Sequence, residues 1–157
     1  MLDRRRFLTI LGVSGVVLMT GRASAQAALP KMVVTKDPNC GCCSGWVVHM
    51  EAAGFPMEVV TTPHVDQVKV RLGVPEALAS CHTAEVEGYV IEGHVPADAV
   101  KRLLAERPRA KGLAVPGMPM GSPGMEMAGT EPDTYDVILF GPSGQTAFVR
   151  YRGVNRV

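Results

Sequence analysis

The chain's four cysteines stand in two groups. Cys40, Cys42 and Cys43 crowd into Asn39-Cys40-Gly41-Cys42-Cys43-Ser44, and Cys81 follows much later in Ser80-Cys81-His82-Thr83. Three thiols within four positions cannot all pair with one another. Cys40 and Cys43, at the start of a helix, would hold their Cα atoms about 5–6 Å apart, within disulfide range. A bridge between the adjacent Cys42 and Cys43 is strained. Backbone N–H groups at a helix N-terminus favour the thiolate, which is both the nucleophile of disulfide exchange and the ligand of a soft metal. The first group therefore supports two chemistries. One is thiol–disulfide exchange through the C-x-x-C of Cys40 and Cys43, with Cys40 attacking and Cys43 resolving. In a fold of that type a cis proline faces the dithiol, and Val115-Pro116 is the candidate. The other is metal binding by Cys40, Cys42, Cys43 and Cys81 together. Zinc prefers two C-x-x-C hooks around a tetrahedron, and here the hooks are lopsided. Cu(I) accepts low coordination numbers and bridging sulfur, so a crowded C-x-C-C suits one or several Cu(I) ions better. Two plain structural disulfides are the third reading of the same four residues.

Other donors lie nearby in type. His82 follows Cys81 directly and is the best additional ligand. His94, in Glu92-Gly93-His94-Val95-Pro96, is either a ligand or a hydrogen-bonding support for its turn, and the support role is slightly favoured. His49 falls inside a helix, His64 in a loop. Pro116-Gly117-Met118-Pro119-Met120 recurs seven residues later as Pro123-Gly124-Met125-Glu126-Met127. Exposed thioethers have no packing reason to come in matched pairs, so Met118, Met120, Met125 and Met127 are candidate secondary copper ligands.

The elements that must position these residues are legible in outline. Lys31–Lys36 reads as a buried strand, broken by Asp37-Pro38-Asn39. A helix is expected from Cys42 to Ala53, with Trp46, Val47, Met50 and Ala53 on its apolar face, and Trp46 and Met50 belong to the core rather than the site. Met57–Thr61 closes a strand–helix–strand unit with parallel pairing. Val65–Leu72 reads as a helix ended by Gly73, with a further turn over Glu76–Ser80. Glu85–Ile91 is expected to be one strand and Pro96–Arg107 a helix. Residues 112–134 read as a Gly/Pro/Met-rich loop. Tyr135–Phe140 and Thr146–Tyr151 form a hairpin about Gly141-Pro142-Ser143-Gly144.

Composition bounds the rest. The chain has 157 residues, 46% hydrophobic and 20% charged, with a formal charge of +1. That is one globular domain. Four of its arginines lie in residues 1–25, and the remainder carries 12 basic and 14 acidic side chains. A nearly neutral body with no basic stripe argues against nucleic acid as a partner. Asp3-Arg4-Arg5-Arg6-Phe7-Leu8, an apolar run from Phe7 to Met19 and the small residues Ala23-Ser24-Ala25 read as an export signal of the twin-arginine type. Cleavage is expected after Ala25, with Ala27 the second choice. The run is shorter than the roughly 20 residues of a spanning helix, which speaks against an uncleaved anchor. Residues 26–157 would then work in an oxidising compartment.

Four segments in one order carry a family resemblance: Cys40-Gly41-Cys42-Cys43; Ser80-Cys81-His82-Thr83-Ala84; Gly88-Tyr89-Val90-Ile91-Glu92-Gly93-His94-Val95-Pro96; and Gly112-Leu113-Ala114-Val115-Pro116-Gly117-Met118-Pro119. Over about residues 31–152 the chain resembles the CopG-like proteins, small periplasmic proteins linked to copper resistance. The resemblance implies a thioredoxin-like α/β domain with a central mixed sheet flanked by helices. It also implies copper held by Cys40, Cys42, Cys43 and Cys81, by sequestration or with cycling between Cu(I) and Cu(II). Expected partners are copper ions and other periplasmic copper-handling proteins, with no stable membrane span after signal removal. The resemblance assigns no role to His94 or to the methionine repeat.

Overall fold

Two strand–helix–strand units set the frame of the computed structural model, which describes residues 28–157. In the first, β1 (Met32–Lys36) and β2 (Met57–Thr61) pair in parallel across α1 (Gly41–Ala52). In the second, β4 (Tyr89–Glu92) and β5 (Gly112–Ala114) pair in parallel across α3 (Ala97–Glu106). Between them come α2 (Val65–Leu72), one 3-10 turn (Glu76–Leu78) and β3 (His82–Val86), which lies antiparallel to both β1 and β4. The long hairpin β6 (Thr134–Gly141) and β7 (Gly144–Arg152), with the short β8 (Asn155–Arg156), extends the sheet. The eight strands run β2-β1-β3-β4-β5-β6-β7-β8. The result is the mixed α/β domain that the sequence predicts. The export signal and both cleavage positions lie outside the described residues.

Side chains alternate across the sheet and build two cores. Tyr89 and Ile91 of β4 and Leu113 of β5 join Trp46, Val47 and Met50 of α1 and Val100 and Leu103 of α3 in the larger one. Val90 and Ala114 point the other way, to Phe140 and Leu78, with Leu72 of α2 packed against them. Trp46, fully buried, also donates its indole N–H to Val95 O at 2.9 Å, which ties α1 to the segment after β4. With so few aromatics, this one residue carries a large share of the packing on that face.

The strand pairing decides where the site lies. Lys36, the last residue of β1, stands opposite His82, the first of β3. Thr83 stands opposite Glu92, the last residue of β4. The chain leaving β1, the chain entering β3 and the chain leaving β4 therefore meet at one end of the sheet. Cys40–Cys43, Cys81 and His94 occupy those three connections.

Several expectations need correction. The segment Glu85–Ile91 is not one strand: Glu87 and Gly88, at φ of 48° and 83°, make a two-residue turn between β3 and β4. A glutamate at the first turn position carries none of the Asn or Asp signal that marks such turns. The loop expected over 112–134 begins with β5, a strand too short to show periodicity but paired on both sides. Pro96 precedes α3 as its N-cap rather than filling its first turn, and Arg107 closes it at a left-handed φ of 48°. No peptide bond among the described residues is cis, so Val115-Pro116 does not supply a cis proline opposite the dithiol.

Candidate metal centre

Cys40 ends the turn after β1, and α1 begins at the next residue. Cys40 and Cys43 are joined as a disulfide with their Cα atoms 5.5 Å apart, as their spacing at a helix start allows. Cys42 and Cys81 are free thiols. The Cys42 sulfur lies 3.5 Å from that of Cys40 and 4.0 Å from that of Cys81. Cys43 approaches the backbone oxygen of Cys81. The four sulfurs thus form one group, all within 4.8 Å of one another. The register of β1 on β3 brings the late cysteine to the early trio.

Cys81 also begins a second group with His82 and His94. His94 is fully buried, and its Nδ1 lies 2.8 Å from Pro123 O. A carbonyl only accepts, so Nδ1 carries the proton and Nε2 keeps its lone pair. That Nε2 faces the Cys81 sulfur at 3.0 Å. His94 therefore fills the support role through Nδ1, while its unprotonated Nε2 faces the thiol. His82, also fully buried, sets Nδ1 3.3 Å from the same sulfur. Its Nε2 has no hydrogen-bond partner among the described residues. Trp46 packs its ring on His82, 4.4 Å between centroids, so a core residue forms one wall of the site.

The electrostatics are those of a nest that resists bare negative charge. Burial first, and then the charge of the Cys42 sulfur, push the Cys81 thiol up to about 12. Burial also holds His94 below its ordinary 6.5 and His82 well below it, where the charges of His94 and Lys69 add to the effect. Without metal, Cys81 is thus a protonated thiol beside two neutral imidazoles. A cation bound here would have to displace the thiol proton, so uptake would release protons. The donor set of sulfur and imidazole fits a soft ion.

The methionine repeat forms the loop that covers this end of the sheet. Ser80 Oγ donates to Gly117 O, and Pro123 O accepts the hydrogen bond from His94 Nδ1–H. Gly124 lies against α1 at a φ of 86°, and a Cβ there would sit 2.6 Å from Cys42 O and 2.5 Å from Trp46 N. Only glycine allows that approach. Met118 and Met127 are exposed, Met120 and Met125 half-buried. Gly124→Ala should therefore push the loop off the helix at a cost of about 1–3 kcal/mol. Limited proteolysis would read it as faster cleavage within residues 116–127, and unchanged cleavage would mean that this contact does not hold the loop.

The remaining histidines lie elsewhere. His49 Nε2 accepts Ala97 N–H at 3.1 Å and so caps α3, and His64 is exposed at the start of α2. Sequence reasoning missed Glu92, Lys69 and Thr83, a buried polar group directly behind Cys81. The available signal was an acid ending the apolar run Tyr89-Val90-Ile91, since a carboxylate buried on an internal strand demands a partner.

The family model described as a protein of unknown function, DUF411, matches residues 78–125, from the 3-10 turn through Cys81 and His94 to the methionine repeat. Two solved structures, forms 1 and 2 of a copper resistance protein CopG, superpose with a TM-score of 0.74 each. They are 44% and 43% identical, covering 80% and 78% of this chain and 99% and 98% of their own. No curated protein matches the chain.

Proposed function

Because the chain belongs to the CopG copper-resistance family, we propose that it is an exported, periplasmic copper-binding protein whose cargo is Cu(I). Cys40, Cys42, Cys43 and Cys81 hold the ion, and His82 and His94 flank it. The observation that carries this reading is the 4.0 Å approach of Cys42 to Cys81, thiols from distant segments that no disulfide joins. Structural disulfides would have used all four. The strand–helix–strand unit with its C-x-x-C at the helix start supports the thioredoxin-like form of the fold. The exposed Met118 and Met127, on a loop seated on α1, suit first capture of Cu(I) by thioether and transfer inward, with Met120 and Met125 next in line. Resistance follows from sequestration or from cycling between Cu(I) and Cu(II). In the cycling form, two Cu(II) ions each take one electron from the Cys40 and Cys43 thiolates, giving two Cu(I) and the disulfide, which an external dithiol must reduce by two electrons before the next turn.

The redox state of that pair then sets capacity. Four thiols are free in the reduced protein and two when Cys40 and Cys43 are bridged. Reduced, anaerobic protein should take more than one Cu(I) per chain from a chromogenic chelator, and the bridged form fewer. If the reduced protein leaves the chelator fully loaded, the copper reading fails.

The Cys40–Cys43 disulfide supports a second reading, a periplasmic thiol–disulfide oxidoreductase. Cys40→Ser would then abolish exchange with a model disulfide while Cys81→Ser retained it. Equal damage to copper uptake from both substitutions favours the shared metal site instead.

A further inference from the structure

Behind the metal centre lies a buried ion pair that copper ligation does not use. Glu92, at the end of β4, is fully buried, and Lys69 of α2 is 6% exposed. Lys69 Nζ meets Glu92 Oε1 at 2.6 Å. The same Oε1 accepts Ser80 N–H at 2.6 Å. The other carboxylate oxygen, Oε2, accepts the Thr83 hydroxyl at 2.6 Å, and Thr83 Oγ1 in turn accepts from Lys69 Nζ at 2.9 Å.

Ser80 and Thr83 bracket the dipeptide Cys81-His82. One carboxylate therefore grips the chain on both sides of the two residues that face the cysteine trio and His94. The backbone cooperates. Gly93 N donates to His82 O at 3.0 Å, and Gly93 adopts a φ of 72°. A Cβ there would stand 2.6 Å from both Ser80 Cβ and Val115 O, so the Ser80 turn lies directly on the strand end that carries Glu92 and His94.

An ion pair this deep is a poor source of stability, because desolvating two charges offsets most of their attraction. An apolar pair of similar size would serve packing as well. What the carboxylate supplies and a hydrocarbon cannot is two acceptors aimed at two points of one short segment. Lys69 places its ammonium directly against that carboxylate.

We propose that Glu92 is a positioning residue of the metal centre, clamping Ser80 and Thr83 so that the Cys81 sulfur is held toward Cys42 and His94, with Lys69 as its charge partner. The assignment deepens the copper reading and rests on it for its purpose, but the clamp itself is testable without metal. It is the outer-partner arrangement of metal sites, in which groups that orient a ligand matter nearly as much as the ligand.

The test uses the full-length protein with Cys40 and Cys43 bridged, so that Cys42 and Cys81 are the two thiols available. The paired variant K69M/E92L removes both charges together and leaves none unpaired in the interior. Site-resolved iodoacetamide labelling of the metal-free protein, read by mass spectrometry, should show Cys81 reacting roughly tenfold faster relative to Cys42, and Cu(I) affinity falling by about tenfold, the effect of losing an outer partner. K69M/E92Q, which also leaves no charge unpaired, keeps an oxygen for Ser80 N–H and should return the labelling ratio most of the way to that of the unaltered protein. A folded K69M/E92L with an unchanged ratio overturns the proposal. Should that variant not fold, Thr83→Val, which deletes the Oε2 arm together with the Lys69–Thr83 hydrogen bond and leaves the Ser80 arm, must raise the ratio in the same direction, and no rise there overturns it equally. Labelling that shifts in a protein that takes no Cu(I) at all would leave the clamp standing and remove the copper reading.

Discussion

Cys81→Ser should lower Cu(I) affinity by at least roughly a hundredfold, because losing even an outer partner of a metal ligand costs ten- to a hundredfold. A hydroxyl is a hard donor and a poor substitute for thiolate toward Cu(I). The substitution nearly conserves size, and the Cys81 side chain is only partly buried, so the fold should survive it. Two contacts would be lost together. Cys42 would lose the sulfur 4.0 Å away, and His94 Nε2 the sulfur it faces at 3.0 Å. The measurement is an anaerobic competition titration of reduced protein against a chromogenic Cu(I) chelator, with circular dichroism to verify the fold. Cys81 is the informative position because it is the one thiol that comes from outside the C-x-C-C segment. Undiminished affinity would place the copper on that segment or on the methionine loop and dissolve the shared nest.

Acid should unfold the metal-free protein early, and His82 should dominate the effect. Burial, then the nearby charges of His94 and Lys69, hold this fully buried imidazole well below 6.5 in the fold. The unfolded chain has no such constraint and takes up a proton near 6.5. The sign follows from linkage: stability rises with pH wherever the unfolded state binds more protons. The contribution is therefore present in full above 6.5 and is lost as pH falls below it. The loss is about 1.4 kcal/mol per pH unit for as long as His82 stays neutral in the fold. His94 and His49, also lowered chiefly by burial, act in the same direction. Urea midpoints between pH 7.5 and 5 should fall steeply, and His82→Gln should flatten the dependence by close to one proton even if it lowers stability throughout. A midpoint that does not move over that range would show that His82 accepts its proton inside the fold. Bound copper opposes the effect, since a ligand that binds only the folded state stabilises it.

Much of the frame was legible because it depends on local signals. Residues 65–72 show helical spacing closed by a glycine, and 57–61 a short strand after a break, and both lie where expected. The β6–β7 hairpin announces itself through Gly141-Pro142-Ser143-Gly144. The failures occur where a local signal is weak or shared. Glu87-Gly88 turns the chain without a recognised turn pair, and β5 is three residues that only their neighbours make a strand. For the site, residue type marked the four cysteines, His82 and His94 as candidates. It did not mark the Pro123 carbonyl, whose role is purely positional.

By itself the sequence determined the donors and their character: soft sulfur crowded at a helix start, one further thiol beside a histidine, and thioethers in a loop. Only the tertiary structure decided that the four cysteines and the two histidines meet. That decision rests on the pairing of Lys36 with His82 and of Thr83 with Glu92, contacts between strands far apart in the chain. Alternation along a strand shows which side chains share a face, but it is silent about which strands lie side by side and in what register. Non-local contacts likewise chose the tautomer of His94, through Pro123 O of the loop after β5, and set Glu92 behind Cys81, through Ser80 N–H.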